Sequence, residues 1–523
     1  MPGGGLFALV SYGTQNVILN SNPDITYFYK TFRKYSHYSE ESVTTAMNGP
    51  NELGTSAPVQ VRLKLQRVAD LVRDMYFVFR IPDIYSKYIA DRQSQYNFSW
   101  VRYLGAAIIQ SAAVFIGGQK IQEIDGTYIL SHALLDYDQE TFQKWQRLVG
   151  DVPELNNPAL GIYGGGSETV GYPTVYPDPS GAAARPSIFG RDIYVPLPFW
   201  FTESTYSALP LVALQGQDVE IQIVLRPVES LYRILDASGN KVRPGYRLDY
   251  MTDVNSPVYT SDEDDKMNIR HFLTDFIESA PALNTWFFDP RLTTTYIYLT
   301  DEERKAFVSK ELQYTIRQIS PFHFSAQMNR QQFQLDITNP ITRLIAVPRR
   351  TDAMPYRNDW SNMTNWIQST APPYIKTPGI DPWIVNIYAT GRLIPQGQRD
   401  IIRNLRLLGD GNELQEEKRA EYYKLITPWK YASGGASQTV TPVNFAGRLG
   451  VEENPLLIPF SMTSPEFQPN GSINASRIKK FQVEVDFWPL PLEPEYLYDL
   501  SIYAETINWV IIVGGTGGLK YAL

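Results

Sequence analysis

The side chains that could carry out acid–base, metal or nucleophilic chemistry are few in this sequence, and they are scattered. No two histidines are spaced i, i+4, so the sequence has no metal-binding motif, and a Gly-x-Ser-x-Gly nucleophile elbow is missing. Carboxylate pairs such as Glu40-Glu41 are adjacent, and neighbouring side chains on a strand point to opposite faces. We therefore predict no catalytic residue and no metal site. The four histidines are His37, His132, His271 and His323.

A glycine-rich segment near the C-terminus is the one candidate for a phosphate-binding loop. Gly514 to Gly518 follow an apolar run, Trp509 to Val513, as the glycines of a dinucleotide site would. However, Lys520 occupies the position of the third glycine, and no Gly-Lys dipeptide exists for a Walker A loop. We predict a turn that ends a strand, and no cofactor.

The overall composition excludes several classes of protein. The chain has 523 residues, no cysteine and a formal net charge of −8. Without cysteine it has no disulfide scaffold, Cys-ligated zinc, iron–sulfur cluster or thiol nucleophile. The acidic balance gives no basic surface for sequence-specific binding of nucleic acid. The longest apolar stretch, Leu104 to Ile116, is interrupted by Gln110 and Ser111 and is too short for a transmembrane segment.

The elements that must position any site are mainly strands. The chain is 13% aromatic and contains 35 glycines and 37 prolines, a composition typical of short strands joined by turns. Segments in both halves alternate apolar and polar residues, so each would present one apolar face, as in antiparallel sheets of a sandwich. These segments are Val59–Leu65, Val219–Ile223, Phe333–Ile337 and Phe481–Phe487.

Helices are predicted to be few and short. Thr300 to Glu303 has the pattern of a capping box and would start a helix from Arg304 to Leu312. Two further helices are predicted, at Asn412 to Ile426 and at Asp136 to Val149. The chain lacks the βαβ rhythm of a parallel α/β fold, so the predicted fold class is all-β.

Two long irregular stretches interrupt the strands. They are Gly150 to Ser187 and Pro227 to Pro290, and the second contains the acidic run Asp262 to Asp265. Loops of this length usually carry function or lie in an interface. The alternative is a mobile surface insertion.

Several motifs stand far apart along the chain. An N-terminal set contains Gly3, Gly4, Gly5, Tyr12, Gly13, Gln15 and Asn22; a central set contains Pro196, Leu197, Pro198, Phe199, Trp200 and Phe201; later sets contain Asn358, Asp359 and Trp360, then Gln468 and Pro469, then Gly517 and Gly518. Together and in this order they resemble the major capsid proteins of nucleocytoplasmic large DNA viruses. The central set is the most specific, and the resemblance runs from residue 3 to residue 519.

The resemblance implies a double jelly roll, which is two tandem eight-stranded antiparallel sandwiches with long loop insertions and a few short helices. It implies an N-terminal arm at residues 1–29, a first jelly roll at 30–305 with long loops at about 150–187 and 227–290, and a second jelly roll at 306–523. It also implies a structural protein and not an enzyme. Such a protein forms homotrimeric, pseudo-hexagonal capsomers in the icosahedral shell of a large double-stranded DNA virus.

By the same resemblance, the N-terminal set lies on the inner face of the shell. There it would contact neighbouring capsomers and minor capsid or penton proteins, whereas the alternative makes it the first strand of the domain. The long loops would rise from the outer face. The chain starts without the basic and apolar segments of a signal peptide, so we expect assembly into virions inside the host cell, in the cytoplasm.

A second function stays open at this point, namely a jelly-roll carbohydrate-binding protein or glycoside hydrolase. Such a protein would use Trp and Tyr side chains as sugar platforms and two carboxylates across a cleft. The tandem domains, the order of the motifs and the missing secretion signal favour the capsid protein.

Overall fold

The fold is described from a computed structural model. It describes residues 3–89, 94–95, 97–158, 172–175, 185–235, 241–244, 267–274, 285–366, 400–434, 440–442, 449–451, 455–463, 468–490 and 496–521. The acidic run at 262–265 lies outside these ranges, as do large parts of the stretches 150–187 and 227–290.

Eight long strands between Tyr38 and Leu299 form the first sandwich. They are β1 (Tyr38–Ala46), β2 (Val59–Lys64), β3 (Leu71–Ile81), β4 (Ile109–Ile116), β5 (Gln119–Ile124), β6 (Arg191–Pro196), β7 (Val219–Leu225) and β8 (Arg291–Leu299). All pairings are antiparallel, in the orders β1-β8-β3-β6 and β2-β7-β4-β5.

Eight more long strands between Leu312 and Val513 form the second sandwich. They are β9 (Leu312–Gln327), β10 (Arg330–Gln334), β11 (Pro340–Arg350), β12 (Ile402–Gly409), β13 (Asn412–Arg419), β14 (Leu456–Pro459), β15 (Phe481–Phe487) and β16 (Tyr498–Val513). Their antiparallel orders, β9-β16-β11-β14 and β10-β15-β12-β13, repeat those of the first sandwich. This is the predicted double jelly roll. Three of the alternating segments are confirmed as strands, whereas only Phe333 and Gln334 of the segment Phe333–Ile337 belong to β10.

Shorter strands extend these sheets or form small ribbons beside them. They are Glu52–Leu53, Tyr88–Ile89, Ser94–Gln95, Asn97–Trp100, Leu209–Pro210, Tyr232–Leu235, Lys241–Val242, Trp286–Phe287, Val440–Pro442, Leu449–Val451, Ile473–Asn474 and Thr516–Leu519. The last of these pairs with β16 in a hairpin whose turn residues, Gly514 and Gly515, both have positive φ. The predicted strand-ending turn is therefore confirmed.

The helices are short and connect the strands. They are α1 (Gly4–Val10), α2 (Thr14–Asn20), α3 (Leu104–Ile108), α4 (Gly126–Asp136), α5 (Gln139–Leu148), α6 (Pro153–Asn156), α7 (Asp301–Ser309), α8 (Ala353–Arg357) and α9 (Thr427–Tyr431). A π-helical turn, Tyr422–Ile426, continues directly into α9. We call these two pieces together the 422–431 helix. Single 3₁₀ turns occur at Thr205–Ser207, Leu211–Ala213, Val228–Ser230, Ile269–Phe272 and Ala475–Arg477.

The helix predicted at Asn412 to Ile426 is wrong over its first half, because Asn412–Arg419 is a strand. Asp410 and Gly411 have φ values of +50° and +81°, which is the backbone of a two-residue hairpin turn. The Asp-Gly dipeptide is a strong hairpin signal and should have outweighed the helix-forming Glu residues that follow. The second half of the prediction coincides with the start of the 422–431 helix.

The other two predicted helices exist with different ends. The helix after Thr300 is α7, which ends at Ser309, and Leu312 already begins β9. Thr300 occupies the N-cap position, but its side chain makes no capping hydrogen bond, so the capping box is wrong. The third helix is α5, which is capped by Asp138 accepting from the Thr141 N–H at 3.0 Å.

Strand β11 shows how the two sandwiches share their cores. Leu344 and Ala346 belong to the core of the second sandwich, whereas the intervening Ile345 and Val347 belong to the core cluster of the first. Successive side chains of a strand point to opposite faces, so β11 is buried on both. The centre of its sequence, Leu344 to Pro348, is accordingly a continuous apolar run instead of an alternating one.

Candidate assembly surfaces and the joint between the sandwiches

A buried ion cluster ties the two sandwiches together. Arg343 on β11 is fully buried, and its Nη1 and Nη2 donate to Asp136 Oδ1 and Oδ2 at 2.7 and 2.6 Å. Its Nη2 also donates to Glu505 Oε1 on β16 at 2.7 Å. Asp136 is the last residue of α4, so the two-point ion pair crosses from the first sandwich to the second.

Four more polar side chains complete this cluster. Arg317 on β9 lies 3.1 Å from Glu203 and 3.6 Å from Glu505, measured between nitrogen and oxygen. Tyr128 Oη donates to Glu505 Oε1 at 2.9 Å, and His132 Nδ1 lies 2.6 Å from Asp136 Oδ2. The cluster thus combines two guanidinium groups with three carboxylates, which makes burial of these charges tolerable.

The arginines determine the ionisation of the buried carboxyl groups. Burial alone raises the pKa of Asp136, but the charge and hydrogen bonds of Arg343 outweigh it and hold that pKa below its ordinary value. Burial likewise opposes ionisation of Glu505, and the charges of Arg343 and Arg317 lower its pKa nevertheless. Both groups are therefore anions in the folded protein at neutral pH.

Helix α4 is placed in the joint by its cap. Asp125 follows β5 directly and accepts from the Tyr128 N–H at 2.6 Å, which starts the helix. The second carboxylate oxygen of Asp125 accepts from Tyr503 Oη at 2.7 Å, and Thr127 Oγ1 accepts from Arg349 at 3.1 Å. Every residue of α4 is buried, because the helix is enclosed between the two sandwiches.

The central motif, Pro196 to Phe201, also lies at this joint. Pro196 ends β6 and is partly exposed. The five residues that follow it are buried, namely Leu197, Pro198, Phe199, Trp200 and Phe201. The backbone N–H of Trp200 donates to Gln122 Oε1 at 2.9 Å. The ring centroid of Trp200 lies 5.4 Å from that of Tyr314 on β9. The motif therefore holds the end of the first sandwich against the second.

The motif Asn358 to Trp360 makes the reverse connection, from the second sandwich to the first. Asn358 has a left-handed backbone with φ of +50°, and its Nδ2 donates to the carbonyl oxygens of Glu229 and Tyr232. Trp360 is buried, and its Nε1 donates to the Arg102 carbonyl at 2.8 Å. Asp359 pairs with Arg233, which also belongs to the first sandwich, at 3.5 Å.

The C-terminal motifs approach the same joint. The Gly517 N–H donates to Gln217 Oε1 at 2.8 Å, and a Cβ at Gly517 would lie 2.8 Å from Leu214 Cδ2, so a larger residue there would displace the Leu214 side chain of the first sandwich. A Cβ at Gly518 would lie 3.0 Å from the side chain of Gln119. Gln468 and Pro469 are exposed and line a small cavity of about 60 Å³ that reaches Trp200 and Arg317.

The structure thus brings together motifs that are up to about 320 residues apart in the sequence, and it adds residues that sequence reasoning missed. Arg343, Arg317, Asp136 and Glu505 carry no recognisable motif. One signal was available for Arg343, because it interrupts the apolar run of β11, and a charge inside such a run has to be paired. The carboxylates that pair with it could not be identified, since their proximity arises only from the fold.

The N-terminal residues form an exposed arm. Residues 3–37 are all exposed, and their hydrogen bonds, such as Ser11 Oγ to the Phe7 carbonyl, join residues of the arm to one another. The arm contains α1 and α2, and β1 begins only at Tyr38, so the alternative of a first strand within residues 3–29 is wrong. The arm motif residues from Gly3 to Asn22 all lie in this segment.

The arm presents an unusual amount of apolar surface. Phe7, Ile18 and Phe28 are 76%, 85% and 96% exposed. Such surface is unfavourable in water, and exposed apolar patches of this size are typical of interaction sites. The other large apolar side chains of the arm that are at least half exposed are Leu6, Leu9, Val10, Tyr12, Leu19, Ile25, Tyr27, Tyr29, Phe32 and Tyr35.

The geometry gives no support to glycoside hydrolysis. The cavity beside Gln468 contains two carboxylates, Glu203 and Glu505, but both pair with Arg317. A glycosidase needs one carboxylic acid whose pKa is raised, whereas the pKa of Glu505 is lowered.

In the described part of the chain, no three His, Cys, Asp or Glu side chains form a metal site, and no helix is long and apolar enough to cross a membrane.

Known proteins are similar to this chain in sequence and in fold. Residues 26–261 match the family "Major capsid protein N-terminus", and residues 303–518 match "Large eukaryotic DNA virus major capsid protein". The major capsid protein of Phaeocystis pouchetii virus is 22% identical over an alignment of 582 positions, and the alignment covers 99% of each chain.

Two solved structures have the same fold. The crystal structure of PBCV-1 VP54 gives a TM-score of 0.62 at 17% identity and covers 95% of this chain and 100% of that chain. The Faustovirus major capsid protein gives a TM-score of 0.61 at 14% identity and covers 97% of this chain and 96% of that chain. Because the two family matches span both jelly rolls, this chain belongs to the major capsid proteins of large eukaryotic DNA viruses, which are structural components of the virion and not enzymes.

Proposed function

We propose that this chain forms a homotrimeric capsomer with a pseudo-hexagonal outline, and that such capsomers tile an icosahedral shell. The main support is the internal repeat, in which two sandwiches of identical strand order are fused by a buried joint. Three such chains would supply six similar blocks, which is the number that a hexagonal tile needs. Cyclic symmetry with one repeated interface would close the ring.

We propose that residues 3–37 are the contact between the capsomer and the inside of the shell. Their exposed apolar side chains support binding to neighbouring capsomers or to minor capsid and penton proteins. A segment whose residues are exposed throughout can adapt to a partner during assembly. We place the division between the jelly rolls at α7, and the assembly of the shell in the host cytoplasm.

Electron microscopy of the purified chain tests the capsomer. We expect single particles with a hexagonal outline and threefold symmetry, because six jelly rolls of one architecture would surround the axis. Particles with only two lobes, the size of one chain, would contradict the proposal.

A further inference from the structure

The two jelly rolls are similar enough to be compared residue by residue. β3 and β11 each have eleven residues. β3 pairs with β8, and β11 pairs with β16. In both pairings, the third residue of the eleven-residue strand is left without a partner. The skipped residues are Arg73 in β3 and Thr342 in β11. Aligning these two bulges makes Asp74 the counterpart of Arg343.

The outer face of this sheet is covered in the second jelly roll. Arg343, Ile345, Tyr503 and Glu505 on β11 and β16 are all buried, and their contacts with the first jelly roll include those to α4. This is the interface at which one jelly roll of the chain docks on the other.

The same outer face is open in the first jelly roll. The counterparts of those four residues are Asp74, Tyr76, Thr293 and Thr295 on β3 and β8, and all four are partly exposed. Thr293 and Thr295 also bond to exposed hydroxyl groups of β1. A surface that is an interface in one repeat is therefore accessible in the other.

The helices that follow the fifth strand of each jelly roll show the same contrast. α4 follows β5 and is buried throughout, whereas the 422–431 helix follows β13. Leu425, Ile426 and Trp429 project from one face of the 422–431 helix, and Trp429 is 73% exposed. An exposed Trp beside two exposed aliphatic residues is the composition of an interface core.

The charges at the corresponding positions are exchanged. Within the chain, Asp136 in the last turn of α4 pairs with Arg343 of the sheet. Lys430 lies in the last turn of the 422–431 helix, and Asp74 occupies the sheet position of Arg343. Asp74 is bound by the neighbouring Arg73, which also pairs with Glu40, so this group of three side chains keeps one net negative charge. A cationic helix end therefore has an anionic sheet to meet.

We propose that the 422–431 helix of one subunit docks on the outer face of β8, β3 and β1 of a second copy of this chain. The contact repeats between subunits the interface that α4 makes within the chain, with Lys430 and Asp74 in the places of Asp136 and Arg343. It rests on the proposed trimer and specifies which surfaces close its ring. Three copies of this contact and three internal joints alternate around the ring.

The sheet face has room for the apolar side chains of the helix. A groove of about 270 Å³ opens beside Asp74 and Tyr76, and its other wall includes Tyr137 and Pro198. Aromatic and apolar side chains of this kind suit a Trp ring, and the groove also contains the carboxylates of Asp74, Asp136 and Glu203. Trp429 fills this groove in the proposed contact, and Lys430 reaches Asp74.

Exchanging the two charges tests the contact. Trimer dissociation is measured by light scattering during dilution for Lys430→Asp, Asp74→Lys and the double variant. We expect each single reversal to raise the dissociation concentration about 10-fold or more, because it opposes like charges across the interface. The double variant should return to within about threefold of the wild type. Trp429→Asp should raise the dissociation concentration about 100-fold.

Two matched variants control for unrelated effects. Tyr206→Asp replaces another strongly exposed aromatic residue, and Lys144→Asp reverses an exposed lysine on α5; neither residue belongs to the proposed contact. Both should remain trimers with the wild-type dissociation concentration. If all three interface variants are as stable as the wild-type trimer, this contact is wrong and the capsomer stands. If the wild type itself is a monomer, both proposals fail.

Discussion

At the scale of single residues, the integrity of this protein depends most on Arg343. A guanidinium without access to water is stable only because two carboxylates and several hydrogen bonds surround it. Removal of one partner leaves an uncompensated charge, whereas exposed ion pairs contribute little. The joint between the jelly rolls is therefore sensitive to changes that would be harmless on the surface.

Asp136→Asn should lower the free energy of unfolding by about 3 kcal/mol, because Arg343 loses its two-point anionic partner. The matched control is Glu140→Gln, which removes an exposed partner of Lys144 and should leave the free energy of unfolding nearly unchanged. Denaturant unfolding measures both values. Equal effects of the two substitutions would show that the buried cluster does not stabilise the joint.

The same carboxylates predict how stability depends on pH. The folded-state pKa values of Asp136 and Glu505 lie below their ordinary values of 3.8 and 4.5. A lowered pKa in the folded state gives stability that is complete above the ordinary pKa and declines as the pH falls below it. Thermal unfolding should thus move to lower temperature below about pH 4. Asp136→Asn should show a weaker dependence, and identical pH profiles of variant and wild type would refute this origin.

At the scale of elements, strands with one buried face can be predicted from the alternating pattern of the sequence, whereas strands with two buried faces cannot. The alternation of β2, β7 and β15 is visible because one side of each strand faces polar surroundings. β11 is buried on both sides and gives no such pattern. Helix ends were misplaced at Leu312 and Asn412, where strand pairing determined the conformation and local propensity did not.

The arm is an element that we expect to contribute little to the stability of the body. Deletion of residues 1–37 should leave the unfolding temperature unchanged, because residues 3–37 are exposed throughout. The shortened chain should still form trimers, but it should no longer assemble into shells, since the proposed inner contacts are lost. Calorimetry and electron microscopy of virions made with the shortened chain measure the two effects. A clear fall in the unfolding temperature would mean that the arm packs against the body.

At the scale of the whole molecule, several of the family motifs lie at the joint between the jelly rolls, whereas the N-terminal set lies in the exposed arm. Trp200, Trp360 and Gly517 each contact the opposite jelly roll, although nothing in their sequence spacing reveals it. The resemblance in sequence could therefore identify the family and the fold, and it could not show why those residues are needed. Their shared location indicates that these residues hold the two jelly rolls against each other.

The mass of the purified chain in solution tests the central proposal most directly. Light scattering during dilution should give 178.5 kDa, three times the 59.5 kDa of one chain. A mass of 59.5 kDa for the folded chain at every concentration would contradict the trimeric capsomer.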